Sequence, residues 1–193
     1  MVHFQESLKS WYLKNKRNLP WRLTTDPYKI WLSEVIFQQT RVVQGTAYYL
    51  KFIEAFPTIS HLAKAKEQRV LSLWQGLGYY SRARNLHATA KQIVEDHKGV
   101  FPDNYKELLS LKGVGPYTAA AIASFSFNEV RAVLDGNVFR VLGRIYDIPT
   151  AINSSKGMKE YGEISQNLIS VSDPATHNQA IMEFGALVCS PKS

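Results

Sequence analysis

The sequence predicts an all-α fold of about ten short helices, on two observations. No stretch alternates apolar and polar residues as a half-buried strand does, whereas apolar side chains recur at three- and four-residue spacing in segment after segment. Helix-start punctuation agrees, as at Asp26-Pro27 and Asp173-Pro174, where Asp caps and Pro occupies the first turn. There is no internal repeat or low-complexity tract. At 193 residues the chain holds one domain or two small intertwined ones.

Phe4, Leu8, Trp11 and Tyr12 share one face of a first helix over residues 4–14. A basic, irregular segment follows, Lys14-Asn15-Lys16-Arg17-Asn18-Leu19-Pro20-Trp21-Arg22, which is either a solvated loop or the lining for an anionic ligand. The next helix, Tyr28 to Gln39, carries Ile30, Trp31, Val35, Ile36 and Phe37 and is largely buried. Glu34 sits inside it. A buried carboxylate costs several kcal/mol unless paired. Glu34 is therefore either paired structurally or held at a raised pKa, where it acts as an acid. Val42 to Phe56 is amphipathic and ends at Pro57; Thr58 caps a short piece, Ile59 to Ala65, and Gln68 to Trp74 forms another.

Gly76-Leu77-Gly78-Tyr79-Tyr80 is a glycine-flanked aromatic loop, and Arg82 and Arg84 open a helix to about His97. Two tyrosines beside two arginines make either a stacking wedge with phosphate clamps or a loop packed on the core. Pro102 and Asp103 introduce a helix that leads into the stretch Leu108 to Asp135. There Gly113 and Gly115 supply backbone freedom for a tight turn, and Pro116 opens a helix with a small, apolar run from Thr118 to Phe125. The turn is either an αα-corner in a helical core or a seat for phosphate on free N–H groups. It is not a dinucleotide fingerprint, because Thr118 replaces the third glycine and the preceding segment is helical. Gly136 and Asn137 then open a helix with Val138, Val141, Leu142 and Ile145; Lys156 to Ser170 and a segment from Asp173 to near Val188 complete the set.

Lys and Arg outnumber Asp and Glu by 23 to 16, a net charge of +7 that favours an anionic partner, nucleic acid before membrane. The single cysteine, Cys189, excludes an internal disulfide framework and fits a reducing compartment. With no signal-like or membrane-spanning run, the expectation is a cytoplasmic protein, neither secreted nor membrane-bound.

The turn LKGVGPYTAAAI followed by VLDGNVFRVLGR resembles the helix-hairpin-helix plus Gly/Pro-rich loop and Asp signature of DNA glycosylases. Within that superfamily, LPWR, PYKIWLSEVIFQQT, LWQGLGYYSRARNL and FNEVRAVLDGNVFRVL resemble the MutY type of adenine DNA glycosylase, in order and across essentially the whole chain. The resemblance implies a six-helix barrel at about residues 25–132 and a second helical domain from residues 1–24 plus 133–193, with the active site in a cleft between them. It implies a monomer acting at the nucleoid on double-stranded DNA, removing adenine opposite 8-oxoguanine or guanine after flipping it from the helix. Glu34 matches the general acid that protonates the adenine, and Asp135 the carboxylate that stabilises the cationic sugar. Tyr117 stands where bifunctional relatives carry a nucleophilic lysine, implying a monofunctional enzyme; Asn137 matches a residue that positions Asp135 and water.

The same resemblance puts Gln39 and Tyr79 into the duplex around the lesion, and Arg17, Leu19, Trp21 and Arg22 along the adenine pocket and the lesion side. Phe37 and Met182, which read as core without it, would sandwich the adenine, and Gln179 would reach its polar edge. Cys189 matches the first ligand of a four-cysteine 4Fe–4S loop whose other ligands are missing. The expectation is a cluster in the full-length protein, not bindable by this chain alone, and a chain that stops within that loop. A Nudix-like C-terminal domain of the family, which reads 8-oxoguanine, has no counterpart in these residues. Two other readings stand beside this one, an endonuclease III-like pyrimidine glycosylase and a non-catalytic helix-hairpin-helix DNA-binding module.

Overall fold

A computed structural model describes residues 2–192, and among them every regular element is helical. The chain divides into two compact units, Pro20–Ile122 and Met1–Leu19 with Ala123–Ser193. No helix among the described residues is long and apolar enough to cross a membrane.

The unit Pro20–Ile122 opens with a short 3-10 turn, Pro20–Arg22, and a buried helix α2 (Pro27–Ile36), α1 being the N-terminal helix of the other unit. The Asp26 side chain accepts from the Tyr28 N–H at 2.9 Å with Pro27 in the first turn, as the sequence predicts. Then come α3 (Val42–Ala55), α4 (Ile59–Lys64), α5 (Glu67–Trp74), α6 (Tyr80–Asp96), α7 (Tyr105–Ser110) and most of α8 (Pro116–Phe127). The long α6 packs on α4, α5 and α2, and α3 packs on α2 and α5. Their apolar stripes close over Trp31, Leu32, Ile36, Phe52, Leu62, Trp74, Leu86, Ile93, Leu108 and Ile122, all essentially solvent-free. Phe52 and Trp74 meet edge to face at 5.7 Å, a favoured arrangement of aromatic quadrupoles. Truncating Trp74 to Ala would cost about 3–5 kcal/mol, because the cavity cannot collapse fully.

Most helix bounds differ from the sequence reading by a residue or two, and one by three. The second helix ends at Ile36 rather than Gln39: residues 37–39 form a turn, and Gln39 sits in the left-handed region at φ 55°. Its last carbonyls are taken by the Arg82 side chain, which ends the helix from outside. The helix before the glycine turn, which Pro102 and Asp103 introduce, is capped by Asn104, whose side chain accepts from the Glu107 N–H at 3.0 Å.

The other unit contains α1 (Val2–Asn15), α9 (Gly136–Ile145), α10 (Ser155–Leu168) and α11 (Pro174–Leu187). Here α11 packs on α1 and α9, and α10 on α9. Leu8, Tyr12, Val138, Leu142, Tyr161, Leu168 and Ile181 form its core. Asp135, Ser154 and Asp173 cap the three later helices with side-chain oxygens. Gly185 lets α11 approach the start of α9, where any Cβ would meet the backbone and Cβ of Asn137.

Candidate active site and nucleic-acid interface

In the unit that holds it, Asp135 is a helix cap with both oxygens engaged. Oδ1 accepts from the Val138 N–H at 2.8 Å, and Oδ2 from Asn137 Nδ2 at 2.7 Å. Burial pushes its carboxyl above the ordinary aspartate value; the bonds from Val138 and Asn137 and the nearby Arg140 charge pull the other way. Asn137 is itself held, since Arg140 donates from one nitrogen to Asn137 Oδ1 at 2.8 Å and to the Gly185 carbonyl at 2.6 Å. The same guanidinium donates through Nε to the Cys189 carbonyl, and Arg144 donates to the Ser190 carbonyl and the Cys189 sulfur. A chain of bonds thus runs from the end of α11 through Arg140 and Asn137 to Asp135.

The strap before Asp135 is held from α11 by Asn178, which is buried. It accepts from the Val133 N–H at 3.2 Å and donates to the Arg131 carbonyl at 2.8 Å and to Ser124 Oγ at 3.0 Å. Next to it, Gln179 Oε1 accepts from the Tyr12 hydroxyl at 2.7 Å, and one turn further along Met182 is half-buried. Glu183 is completely buried and receives the Arg17 backbone N–H at 2.9 Å and two guanidinium bonds at 2.9 and 2.6 Å. The guanidinium of Arg17, read from sequence as lining the adenine and lesion side, is committed to this internal pair; Leu19 is buried nearby in sequence. Arg140, Asn178 and Glu183 escaped the sequence reading. Their one signal is polar residues at i, i+3 or inside an apolar helix run, a pattern that many surface faces share.

In the other unit, Glu34 lies in the last turn of α2, half-buried, beside Leu32 and Ser33, which are almost solvent-free. The Phe37 ring stacks on Trp21 at 4.2 Å between centroids, and Trp21 meets Tyr49 at 5.4 Å. Phe37 lies flat against Gly45 of α3, where a Cβ would strike its ring. Arg22 follows Trp21 in the 3-10 turn and is half-buried. Gln39 and Tyr79 are both exposed and both left-handed, at φ 55° and 46°. Arg84 is exposed and reaches only Glu67, at 3.6 Å. Arg82 faces inward: its nitrogens donate to the carbonyls of Val35, Ile36, Gln38 and Leu77. A guanidinium so occupied is not the phosphate clamp the sequence suggested.

The glycine turn between α7 and α8 is clamped to α6. Thr89 donates to the Lys112 carbonyl, and the Lys112 N–H donates to Gln92 at 3.0 Å. Gly113 has φ 72° and lies on Asn85, so it needs to be glycine twice over; Gly115 has neither a left-handed φ nor a neighbour within 4 Å. The freedom expected of both glycines is used by Gly113 alone, while Gly115 leaves open surface. The N–H groups of Gly113 and Gly115 meet no partner among the described residues. Tyr117, in the first turn of α8, is half-buried.

For a 4Fe–4S cluster the donor set does not fit. Cys189 is the chain's single cysteine, and no group of three or more His, Cys, Asp or Glu able to hold a metal occurs among the described residues. One thiolate cannot hold such a cluster.

Comparison with known proteins places these features in a family. Residues 32–166 match the description of the HhH-GPD superfamily base excision DNA repair protein. The chain is 41% identical over 187 residues to adenine DNA glycosylase of Buchnera aphidicola subsp. Baizongia pistaciae, covering 96% of this chain and 53% of that protein. It is 42% identical over 198 residues to the adenine DNA glycosylase of Homo sapiens, covering 98% of this chain and 36% of that one. The chain thus spans about half, or less, of the length of these relatives. Among solved structures, a thermostable thymine-DNA glycosylase superposes with a TM-score of 0.88 at 27% identity, over 100% of this chain and 88% of that one. A non-covalent endonuclease III–DNA complex superposes with a TM-score of 0.83 at 18% identity, covering 100% and 87%, which speaks to the fold alone. The all-helical fold, the glycine turn with its free N–H groups and the capping carboxylate a helix later agree with that profile: the chain belongs to the HhH-GPD superfamily of base excision DNA repair proteins.

Proposed function

We propose that this chain is the catalytic portion of a monofunctional adenine DNA glycosylase, hydrolysing the N-glycosidic bond of adenine mispaired with 8-oxoguanine or guanine in double-stranded DNA. The observation that carries it is Asp135: an aspartate with both oxygens fixed by neutral donors and its pKa raised by burial. That is a carboxylate prepared to meet positive charge it does not yet have. The naming of relatives at 41–42% identity as adenine DNA glycosylases supports the choice of base.

Glu34 donates a proton to the adenine ring, the C1′–N bond breaks with its electron pair leaving on the base, and the sugar becomes cationic. Asp135, oriented by Asn137, faces that cation. Water then adds at C1′ and returns its proton to Glu34, leaving an abasic site and free adenine. Tyr117 and Asn137 assist at the sugar. Trp21, Arg22, Phe37, Gln179 and Met182 belong to the base pocket, and Gln39 and Tyr79 to the reading of the opposite strand. The free N–H groups of Gly113 and Gly115 seat a phosphate, so binding weakens steeply with salt.

The test is a duplex with one 8-oxoguanine:adenine pair, incubated with protein and then with alkali. The expected result is a break in the adenine strand that requires the alkali. Absence of any break from the full-length protein defeats the reading, and borohydride trapping of a lysine-linked adduct defeats its monofunctional part.

A further inference from the structure

The two tips of the unit Pro20–Ile122 that bear Gln39 and Tyr79 share an unusual property. Both residues are exposed, neither is glycine, and both hold left-handed backbone angles. Such a conformation costs on the order of 1 kcal/mol for a residue with a side chain and persists where surrounding contacts over-determine it. What over-determines these two is one guanidinium.

Arg82, in the first turn of α6, donates through one terminal nitrogen to the carbonyls of Val35 at 3.1 Å, Ile36 at 3.2 Å and Gln38. These are the last turn of α2 and the residue before Gln39. Helix-end carbonyls lack partners within the helix and carry the negative end of its dipole, so a cation there is favoured. Through its other terminal nitrogen Arg82 donates to the Leu77 carbonyl at 3.3 Å, two residues before Tyr79. Its plane lies over the Trp74 ring at 5.2 Å and the Tyr79 ring at 5.7 Å. The rest of the second tip is gripped in the same way. Gln75 accepts from the Tyr48 hydroxyl at 2.9 Å, Gly76 from Gln44 at 3.4 Å and Gly78 from the Trp74 indole at 2.9 Å. Four successive carbonyls, 75 to 78, are therefore each bonded by a side chain.

We propose that Arg82 is a positioning residue that joins the Gln39 and Tyr79 tips into one rigid reading head. On this view, discrimination of a mispaired from a paired duplex depends on a side chain that does not touch DNA. The inference rests on the reading that Gln39 and Tyr79 enter the duplex. Its physical content is preorganisation: two loops already ordered do not have to be ordered on binding. Only a planar fork with separate donors at two ends can bridge both tips; a lysine ammonium is a point charge on a flexible stem.

The experiment compares wild type, Arg82→Ala, Arg82→Lys and Tyr79→Ala, with the double variant of Arg82→Ala and Tyr79→Ala. Each is titrated by fluorescence anisotropy against two duplexes over a range of salt. One carries 8-oxoguanine opposite an adenine on a non-hydrolysable 2′-fluoro sugar, and the other is fully paired. The expected result is that Arg82→Ala lowers the preference for the mispaired duplex about tenfold or more, with affinity for the paired duplex within about twofold. Arg82→Lys does not restore the preference, and Arg82→Ala adds little when Tyr79 is already alanine, because the two act as one unit. Should Arg82→Ala not fold, Arg82→Lys and Tyr48→Phe carry the same comparison. A loss equal on both duplexes, with a salt slope reduced by about one, makes Arg82 a phosphate contact and overturns the proposal. A lowered melting temperature with unchanged preference makes it merely structural and also overturns it. Wild type with no preference overturns the functional reading, and this inference with it.

Discussion

Asp135 and Glu183 are two carboxylates of the same unit, on elements that pack together, and they are treated oppositely. Glu183 is fully buried and receives a two-pronged guanidinium from Arg17 together with the Arg17 backbone N–H. Asp135 receives only neutral donors, a backbone N–H and an amide; the nearest guanidinium, Arg140, is spent on Asn137 and main-chain carbonyls. A carboxylate that serves the fold is given its countercharge in place. Asp135 has fixed geometry, no guanidinium bonded to it and a pKa raised by burial, which is what the proposed role of meeting a transient cation asks for.

The sharpest way to break the contrast is Asp135→Asn. Asparagine caps a helix as well as aspartate does and removes a buried charge. Excision is expected to fall about a thousandfold, while stability changes by no more than about 1–2 kcal/mol, because the new amide keeps the cap to Val138 and gives up only the Asn137 bond; a larger loss, comparable to that of Arg17→Ala, would make Asp135 a structural carboxylate like Glu183. Glu34→Gln is expected to slow single-turnover excision by about 10²–10³-fold, the usual worth of a positioned general acid, with duplex affinity retained. Normal cutting by that variant removes Glu34 from the chemistry.

On the structural side, Arg17→Ala takes the two-pronged countercharge from buried Glu183 and should cost about 3 kcal/mol in denaturant unfolding. Pairing it with Glu183→Gln should recover part of that loss; no recovery would mean that packing, not charge, explains the effect. Buried His177 provides a titration check in the same unit. Burial lowers its pKa to about 4, so the folded state keeps it neutral while the unfolded chain protonates it near pH 6.5. Stability is therefore present above about pH 6.5 and is lost as pH falls towards 4, by about 3 kcal/mol in total. Asp135, with its pKa raised, acts with the other sign, gaining stability on protonation. Melting curves between pH 7 and 5 should flatten in His177→Leu; an unchanged slope would assign the acid sensitivity elsewhere. The smallest effect is expected for Gly113→Ala, about 1–2 kcal/mol from the left-handed strain and the contact with Asn85, read as a lower melting temperature.

Much of the molecule was legible in the residue string because the signals were local. The caps at Asp26 and Asp173 follow from Asp-Pro pairs before apolar helical runs, whereas the caps at Ser154 and Asp135 were not read from the sequence. The turn at Gly113 follows from its glycine, and the buried stripes of α2 and α3 follow from spacing. What failed was anything decided by a distant partner. The helix over residues 28–39 looked continuous, yet it stops at Ile36 because a guanidinium 46 residues away takes its terminal carbonyl. Arg82 and Arg84 looked alike in sequence; one is turned inward and the other left on the surface. Arg17 looked like an open cation and is an internal countercharge.

The sequence by itself determined that this chain is helical, where nearly every helix begins, that it turns on glycine before Pro116, and that a lone aspartate follows one helix later. Those features depend on backbone propensity, capping and periodicity, which act within a few residues. Only the tertiary structure decided which charges are spent and which are kept. Whether a cation meets a carboxylate, a helix end or water depends on what the fold brings within hydrogen-bond reach, about 3–3.5 Å, and a polar contact weakens steeply beyond it. Glu183 and Asp135 are both acids in an ordinary string of letters, and the fold gave the cation to one of them.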